Sequence, residues 1–286
     1  MTTTYRGRIA YQGAPGAYSH QACIDSCPDF EPVPFATFED AIEAVRSGAV
    51  DLGMIPVENS TYGRVADVHQ LLPESGLHVI DEAFVRVHVN LLAVPGATMA
   101  DIREVRAMPV LLGQARGFIR DNNLSPIAWS DNAGAARDVA ALGDITVAAM
   151  ASEIAGQITG LTVLARHVED NDLNTTRFLV MSRTPDYTRR GTGPMMTCLI
   201  FQVRNIPAAL YKAMGGFATN GINMTKLESY MVGGHFTATQ FYAEIEGHPD
   251  DRSVQLALEE LGYFTSHMAL MGVYPASSAR NSETRN

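Results

Sequence analysis

Little in this chain can cross-link it. Its 286 residues hold three cysteines, Cys23, Cys27 and Cys198, too few for a disulfide framework. Long apolar runs are missing too, so no membrane-spanning helix is expected. The opening MTTTYRGRIAYQG lacks the apolar stretch of an export signal. Positive charge is scarce: 21 lysines and arginines face 31 acidic residues, for a net charge of −10. A phosphate backbone needs a basic field, so a nucleic-acid partner is not expected, nor is a membrane. These absences point to a cytoplasmic globular protein. What is present agrees: 46% hydrophobic and 18% charged residues, enough for one large domain or two ordinary ones.

Along residues 7–183, short apolar runs alternate with helical patterns. RIAYQ (8–12), EPVPFA, DLGMIPV (51–57), REVRAM, SPIAW, DITVAAM, LTVLARHVED and TTRFLVMSR read as strands. AYSHQACIDSC (17–27), VADVHQLLPES (65–75) and ASEIAGQITG read as helices, with Pro73 ending or bending the second. Thr37 caps FEDAIEAVRSG with Asp40 as capping-box partner, Asp131 caps NAGAARDVAALG, and Pro109 opens one helix, PVLLGQARGFIRDNN. The run 77–94 alternates at Val85, Val87, Val89 and Leu91, a long strand suited to crossing between two lobes, with 175–183 as the return. This alternation predicts a mostly parallel sheet with helices on both faces. A Pro- and Gly-rich linker at 185–194 then separates residues 7–184 from a βαββαβ pattern over 195–275. In that pattern a strand pair turns at Gly233-Gly234, and the polar tail 276–286 is expected to be disordered.

In open α/β sheets ligands gather outside the carboxyl ends of strands, and three such ends are polar. GAPGAYSH (13–20), around Ser19, is a glycine turn leading into a helix N-terminus, either an anion cradle or an ordinary turn. VENS puts Glu58, Asn59 and Ser60 directly after an apolar strand, where a helix cap is the plainer reading. The third end sets Asn174, Thr175, Thr176, Arg177 and Phe178 at the mouth of a core strand. Strand alternation places Thr176 and Phe178 on one face and Arg177 on the other. His20, Cys23 and Cys27 share a helical face and mimic a metal site, but a structural zinc wants four ligands and none is added nearby. His88 reads as a structural histidine, Trp129 as core, and Glu228-Ser229 as the surface end of a strand.

GAPGAYSH, IPVENS, NTTRF and then GGFATNGINMTKLES resemble, in order and over about residues 7–275, prephenate dehydratase with a C-terminal ACT regulatory domain. The resemblance implies a two-lobed catalytic domain similar to type 2 periplasmic-binding folds, followed by an α+β ferredoxin-like (βαββαβ) ACT domain. With no chorismate mutase helices before residue 7, it implies the monofunctional form. It implies decarboxylative dehydration of prephenate to phenylpyruvate, without metal or organic cofactor. Thr176 would donate to the leaving hydroxyl, with Glu58 behind it. Ser19, Asn59, Ser60, Asn174, Thr175, Arg177 and Phe178 would bind substrate, Phe178 as the apolar wall. L-Phenylalanine would bind the ACT domains near Leu210, Asn220, Gly221, Ile222, Asn223, Glu228 and Ser229, at the interface of a homodimer or homotetramer. Two stretches depart from the family: AMPVLLGQA (107–115) keeps only Pro109, Leu112 and Gln114 of its usual pattern, and Tyr230-Met231 follow Glu228-Ser229 in place of Arg-Pro. Arogenate dehydratase is the nearest rival reading, and a non-catalytic two-lobed amino-acid sensor is a rival of another class.

Overall fold

The structure, a computed structural model, describes residues 5–171, 173–232 and 238–280. By contacts the chain forms two compact units: Met1–Ala41, Met54–Val65 and Phe84–Phe178 make the first, and Ile42–Gly53, Ala66–Ala83 and Leu179–Asn286 the second. The division does not follow the 185–194 linker. The last strand of the chain pairs in parallel with residue 79, at Gly272–Val79, and this draws 66–83 into the second unit. Gly272 permits the approach, since a Cβ there would meet the Val79 carbonyl oxygen at 2.3 Å.

In the first unit, β1 (Gly7–Gln12) pairs in parallel with β2 (Phe30–Phe35), from Gly7–Phe30 to Gln12–Phe35. Helix α1 (Tyr18–Ser26) connects them. Thr37 Oγ1 accepts from the Asp40 N–H at 3.0 Å and so caps α2 (Phe38–Arg46), whose later residues fall in the second unit. Strand β3 (Leu52–Asn59) is buried over its first six residues and runs two further, so that Glu58 and Asn59 end the strand; β4 (Gly63–Arg64) folds back on them.

The second unit takes up the next segment: α3 (Ala66–Leu71), one 3₁₀ turn at Leu72–Glu74 around Pro73, and most of β5 (His78–Arg86). The expected single strand over 77–94 is instead two. After β5 the chain breaks at 87–89 and resumes as β6 (Asn90–Ala93) in a different sheet. The break is held by other backbone partners: Val87 N–H donates to Asn174 O at 2.9 Å, and Val168 N–H donates to Val89 O at 2.9 Å.

That different sheet, in the first unit, uses β7 (Glu104–Ala107), β8 (Ser125–Ala128), β9 (Val147–Ala151) and β10 (Thr162–Ala165) in the order β10-β6-β9-β7-β8. It is mixed, not mostly parallel: β10–β6 and β6–β9 run antiparallel, β9–β7 and β7–β8 parallel. The expected helix from Pro109 is also two, α4 (Pro109–Gln114) and α5 (Arg116–Asp121). Asp170 explains this, because its N–H donates to Gln114 O at 2.6 Å and its carboxylate accepts from Gly117 N–H at 3.0 Å. Those are backbone groups a continuous helix would pair internally. Helix α6 (Asn132–Leu142) is capped by Asp131, and α7 (Glu153–Thr159) by Ser152. Leu91, Leu92, Val105, Ala149 and Met150 fill the core against them. Trp129 is half-buried on its margin, donating to Asp138 Oδ2 at 2.9 Å under the Arg106 guanidinium.

Strand β11 (Thr175–Ser182) begins in the first unit, where its N-terminal residues lie beside β3, and ends in the second. The second unit continues with β12 (Met195–Val203), α8 (Ala209–Thr219), β13 (Met224–Met231), β14 (Ala238–Glu246), α9 (Arg252–Phe264) and β15 (Thr265–Pro275), in strand order β13-β14-β12-β15. Leu199, Phe201, Phe217, Phe241, Ala257 and Leu261 make its core. The turn expected at Gly233-Gly234 lies outside the described residues. The disordered tail was expected from 276. Instead, Ser277 N–H and Arg280 both bind the buried Glu82 carboxylate, the latter through two nitrogens at 2.6 and 2.7 Å. A buried charge demands a partner, and Arg280 supplies it. Residues 281–286 lie outside the described residues.

Candidate active site

The ends of β3 and β11 bring two of the three polar stretches together. Asn59, last residue of β3, donates from Nδ2 to Asn174 Oδ1 at 2.6 Å and to Thr176 Oγ1 at 3.0 Å. Its Oδ1 accepts from the N–H groups of Thr61 and Tyr62, each at 3.0 Å. Every hydrogen-bonding site of this amide is thereby used, which fixes its orientation. Thr176 Oγ1, as acceptor, has its own proton left to donate. Asn174 is buried and holds the far side of the junction. Ser60 Oγ donates to Leu173 O at 2.7 Å and accepts from Thr175 N–H at 2.9 Å, while Ser60 N–H donates to Thr175 O. Asn59 and Ser60, expected on the substrate, thus spend their donors on the protein.

Arg177 points away from Thr176, as strand alternation requires. It is buried, its Nη1 lies 2.7 Å from Glu58 Oε1, and its guanidinium sits over the Phe84 ring. In this pair Glu58 Oε1 accepts from the guanidinium, a charge-assisted bond. Phe178, expected as a wall, is 1% exposed and belongs to the core behind the strand.

Ser19 stands in the first turn of α1, whose N-cap Ala17 provides no side-chain acceptor. The turn before it is fixed from two sides. Gly16 N–H donates to His20 Nδ1 at 3.1 Å, and Ser152 Oγ, from the cap of α7, donates to Gly16 O at 2.5 Å. Gly16 has φ +98°, and a Cβ there would meet Ala155 Cα at 2.8 Å; only glycine fits. The structure thus joins this turn to the helical layer of the five-stranded sheet. Tyr62 does likewise by donating to Val110 O at 3.4 Å, within the 107–115 stretch.

Sequence reasoning passed over two features. The side-chain oxygens of Gln114 and Asn90 are buried without a protein partner; Gln114 stood in a stretch singled out for its departures, but nothing in the pattern marked Asn90. The second is a cluster. Among the described residues, His88, His167 and Glu169 are the one group able to gather around a cation; His20, Cys23 and Cys27 do not form one. Burial pushes the Cys23 thiol up, and His20 instead stacks on Tyr11. Burial also raises the Glu169 carboxyl, but bonds from His88 and from the Val89 N–H outweigh it and hold the group below its ordinary range.

In the second unit, Leu210 and Ile222 pack on the core. Asn220 closes α8, its amide donating to Gly216 O at 2.8 Å and Glu260 Oε1 at 3.2 Å. Gly221 follows with φ +66°, and Asn223 O accepts from Glu246 N–H. Glu228 lies further along β13, 3.9 Å from His69 Nδ1 and 3.6 Å from Lys226 Nζ, and Tyr230 stacks on the His69 ring at 4.2 Å. Ser229 is exposed opposite Phe241.

Comparison with known proteins points one way. A family model described as prephenate dehydratase matches residues 9–186. The chain is 48% identical over 273 residues to a bifunctional N-acyl-homoserine lactone acylase/prephenate dehydratase of Komagataeibacter europaeus, covering 95% of this chain and 97% of that one. It is 35% identical to arogenate dehydratase/prephenate dehydratase 1 of Arabidopsis thaliana, over 96% of this chain and 73% of that one. The crystal structure of prephenate dehydratase in complex with L-Phe from Arthrobacter aurescens superposes with a TM-score of 0.84 at 25% identity, covering 96% of each chain.

Proposed function

The chain belongs to the prephenate dehydratase family of hydro-lyases, and from that premise we propose that it converts prephenate to phenylpyruvate, with Thr176 as the group that donates to the departing hydroxyl. One observation carries the assignment: Thr176 Oγ1 accepts from Asn59 Nδ2, so the one proton of its hydroxyl is aimed elsewhere. Prephenate is a dianion one elimination away from an aromatic ring. One C–C bond breaks to release carbon dioxide, that electron pair completes the ring, and the C–O bond breaks with hydroxide leaving. One proton from solvent turns the hydroxide into water, so prephenate dianion plus a proton yields phenylpyruvate anion, carbon dioxide and water. A donor on the leaving oxygen is worth about 10²–10⁴ in rate. Poor solvation of the departing carboxylate lowers the barrier further.

A threonine hydroxyl is too weak an acid to surrender its proton outright. It acts as a positioned donor, and a water on the same oxygen completes the transfer. Asn59 and Asn174 position Thr176; Glu58 and Arg177 brace the strand ends through their ion pair. The pyruvyl carboxylate is assigned to the first-turn N–H groups of α1 around Ser19, where the helix dipole favours an anion. Residues 7–184 are the catalytic domain, 185–194 the linker and 195–275 an ACT domain. The strand order β13-β14-β12-β15 with α8 and α9 supports the last, being that of a ferredoxin-like unit. The Arthrobacter relative's complex with L-Phe supports phenylalanine as effector, acting between ACT domains of a homo-oligomer.

The relative from Komagataeibacter carries acylase activity in its name. Acyl transfer needs a nucleophile set against a base, whereas the Thr176 hydroxyl is set against the Asn59 amide, so this hydroxyl is not assigned an acylase role. The test incubates the chain with prephenate, with arogenate and with an N-acyl-homoserine lactone. Phenylpyruvate from prephenate above the uncatalysed rate is expected. Phenylalanine from arogenate instead would shift the substrate, hydrolysis of the lactone's amide would add an acylase activity like the one in the Komagataeibacter relative's name, and binding without any product would leave an amino-acid sensor. A melting shift with L-phenylalanine tests the effector separately.

A further inference from the structure

We propose that His88, His167 and Glu169 form a binding site for one late first-row divalent cation, zinc, nickel or cobalt in kind, placed where the two crossing segments of the first unit meet. The site takes no step in the elimination.

One donor atom from each residue lies within 4.8 Å of the others. The closest pair, His88 Nδ1 and Glu169 Oε1, is 2.9 Å apart. Two donors at that spacing subtend roughly 90° at a metal about 2.1 Å from each, an ordinary coordination angle. Two imidazoles and one carboxylate suit zinc, nickel or cobalt. Magnesium and calcium prefer all-oxygen surroundings.

The surroundings are built to hold these groups. The Glu169 side chain is 3% exposed, and its second oxygen accepts from Val89 N–H at 2.8 Å, leaving Oε1 for the metal. The carbonyl of His88 accepts from Tyr18 OH at 2.8 Å, which fixes the backbone beneath the ring. His167 has φ +52°, a left-handed conformation uncommon for a residue with a Cβ. It sets the ring over His88, the two stacked at 3.9 Å and nearly parallel. Stacking places the rings together without bonding them, and His167 is exposed, so a turn about its side-chain bonds swings a nitrogen into the third position. A metal is held by the lone pair of a neutral imidazole nitrogen, so in the bound form Nδ1 of His88 is the ligand and Nε2 carries the proton. Water fills the remaining positions.

The consequence lies in the chain path. His88 sits in the 87–89 break between β5 and β6, and His167 and Glu169 sit in the return between β10 and β11. A bound cation would tie outgoing and returning segments together.

Titration calorimetry of the metal-free full chain with zinc chloride, and separately with nickel chloride, tests the site against His167→Ala and Glu169→Gln. One equivalent should bind to the parent, at least tenfold more weakly to each variant, and magnesium chloride should give no heat. No binding by the parent, or equal affinity in all three proteins, overturns the proposal, as does loss of binding in Cys27→Ser. Melting curves without metal check the fold. Should Glu169→Gln melt early, His167→Ala decides alone, since its ring is exposed.

Discussion

Asn59 uses both amide hydrogens and both acceptor positions of its oxygen, and one of those bonds reaches the Thr176 hydroxyl. Its four hydrogen bonds span from Thr61 to Thr176. In the role proposed for it, Thr176 contributes its hydroxyl to the rate and little to the fold. Thr176→Ala should therefore melt near the parent temperature and lose at least about 100-fold in kcat, from the usual worth of a proton donor. Thr176→Ser keeps the hydroxyl and should retain most of the rate. Steady-state kinetics on both variants decides it: near-parental turnover by the alanine variant removes Thr176 from the chemistry. The polar residues at each strand mouth were legible one by one, as hydroxyls and amides where a buried strand wants valine. Their partners were not. Asn59 and Asn174 stand 115 positions apart, and no local pattern encodes a pair so distant. Glu58 shows the same limit, since its grip on Arg177 depends on which strands become neighbours.

At the scale of single elements, local signals read well. Thr37 and Asp131 cap the helices expected of them, because a cap is decided within four residues. Periodicity misled wherever a distant segment competes for backbone groups. The alternation of 77–94 continues through the break at 87–89, but Asn174 and Val168 take the hydrogen bonds that a strand neighbour would have taken. Asp170 divides α4 from α5 in the same way. Ser152 does two jobs at once: it accepts from Ala155 N–H to cap α7, and it donates to Gly16 O. Removing a serine cap costs about 1 kcal/mol, and the buried carbonyl of Gly16 loses a donor besides. Ser152→Ala should thus lower stability by about 2 kcal/mol in urea denaturation. A loss within error of zero would mean that the turn before α1 does not depend on α7.

For the whole molecule, acid is the condition to watch. His78 is held below its ordinary value of 6.5 by burial. Tyr187 gives its proton to Leu270 O at 2.6 Å, so it can only accept from His78 Nδ1 at 2.7 Å. His20 is lowered by burial as well. Depressed histidines leave the unfolded chain with more bound protons once the pH drops below 6.5, so stability is full above that value and falls beneath it. Melting temperature should be level from pH 8 to 7 and decline toward pH 5, and His78→Gln should flatten part of that decline. A profile as steep in the variant as in the parent would place the acid sensitivity elsewhere. Periodicity foretold an α/β molecule and most of the order of its elements, yet the docking of Arg280 on Glu82 was hidden in a segment whose polarity suggested a loose end.

The lone tryptophan gives this architecture an optical consequence. Trp129 borders the five-stranded sheet, tied to Asp138 and covered by Arg106, and no other residue emits like it. Fluorescence excited at the red edge therefore watches that one layer, while circular dichroism averages over every helix. Recorded together through a denaturant series, the two signals reveal whether that layer dissolves alone or in step with the rest.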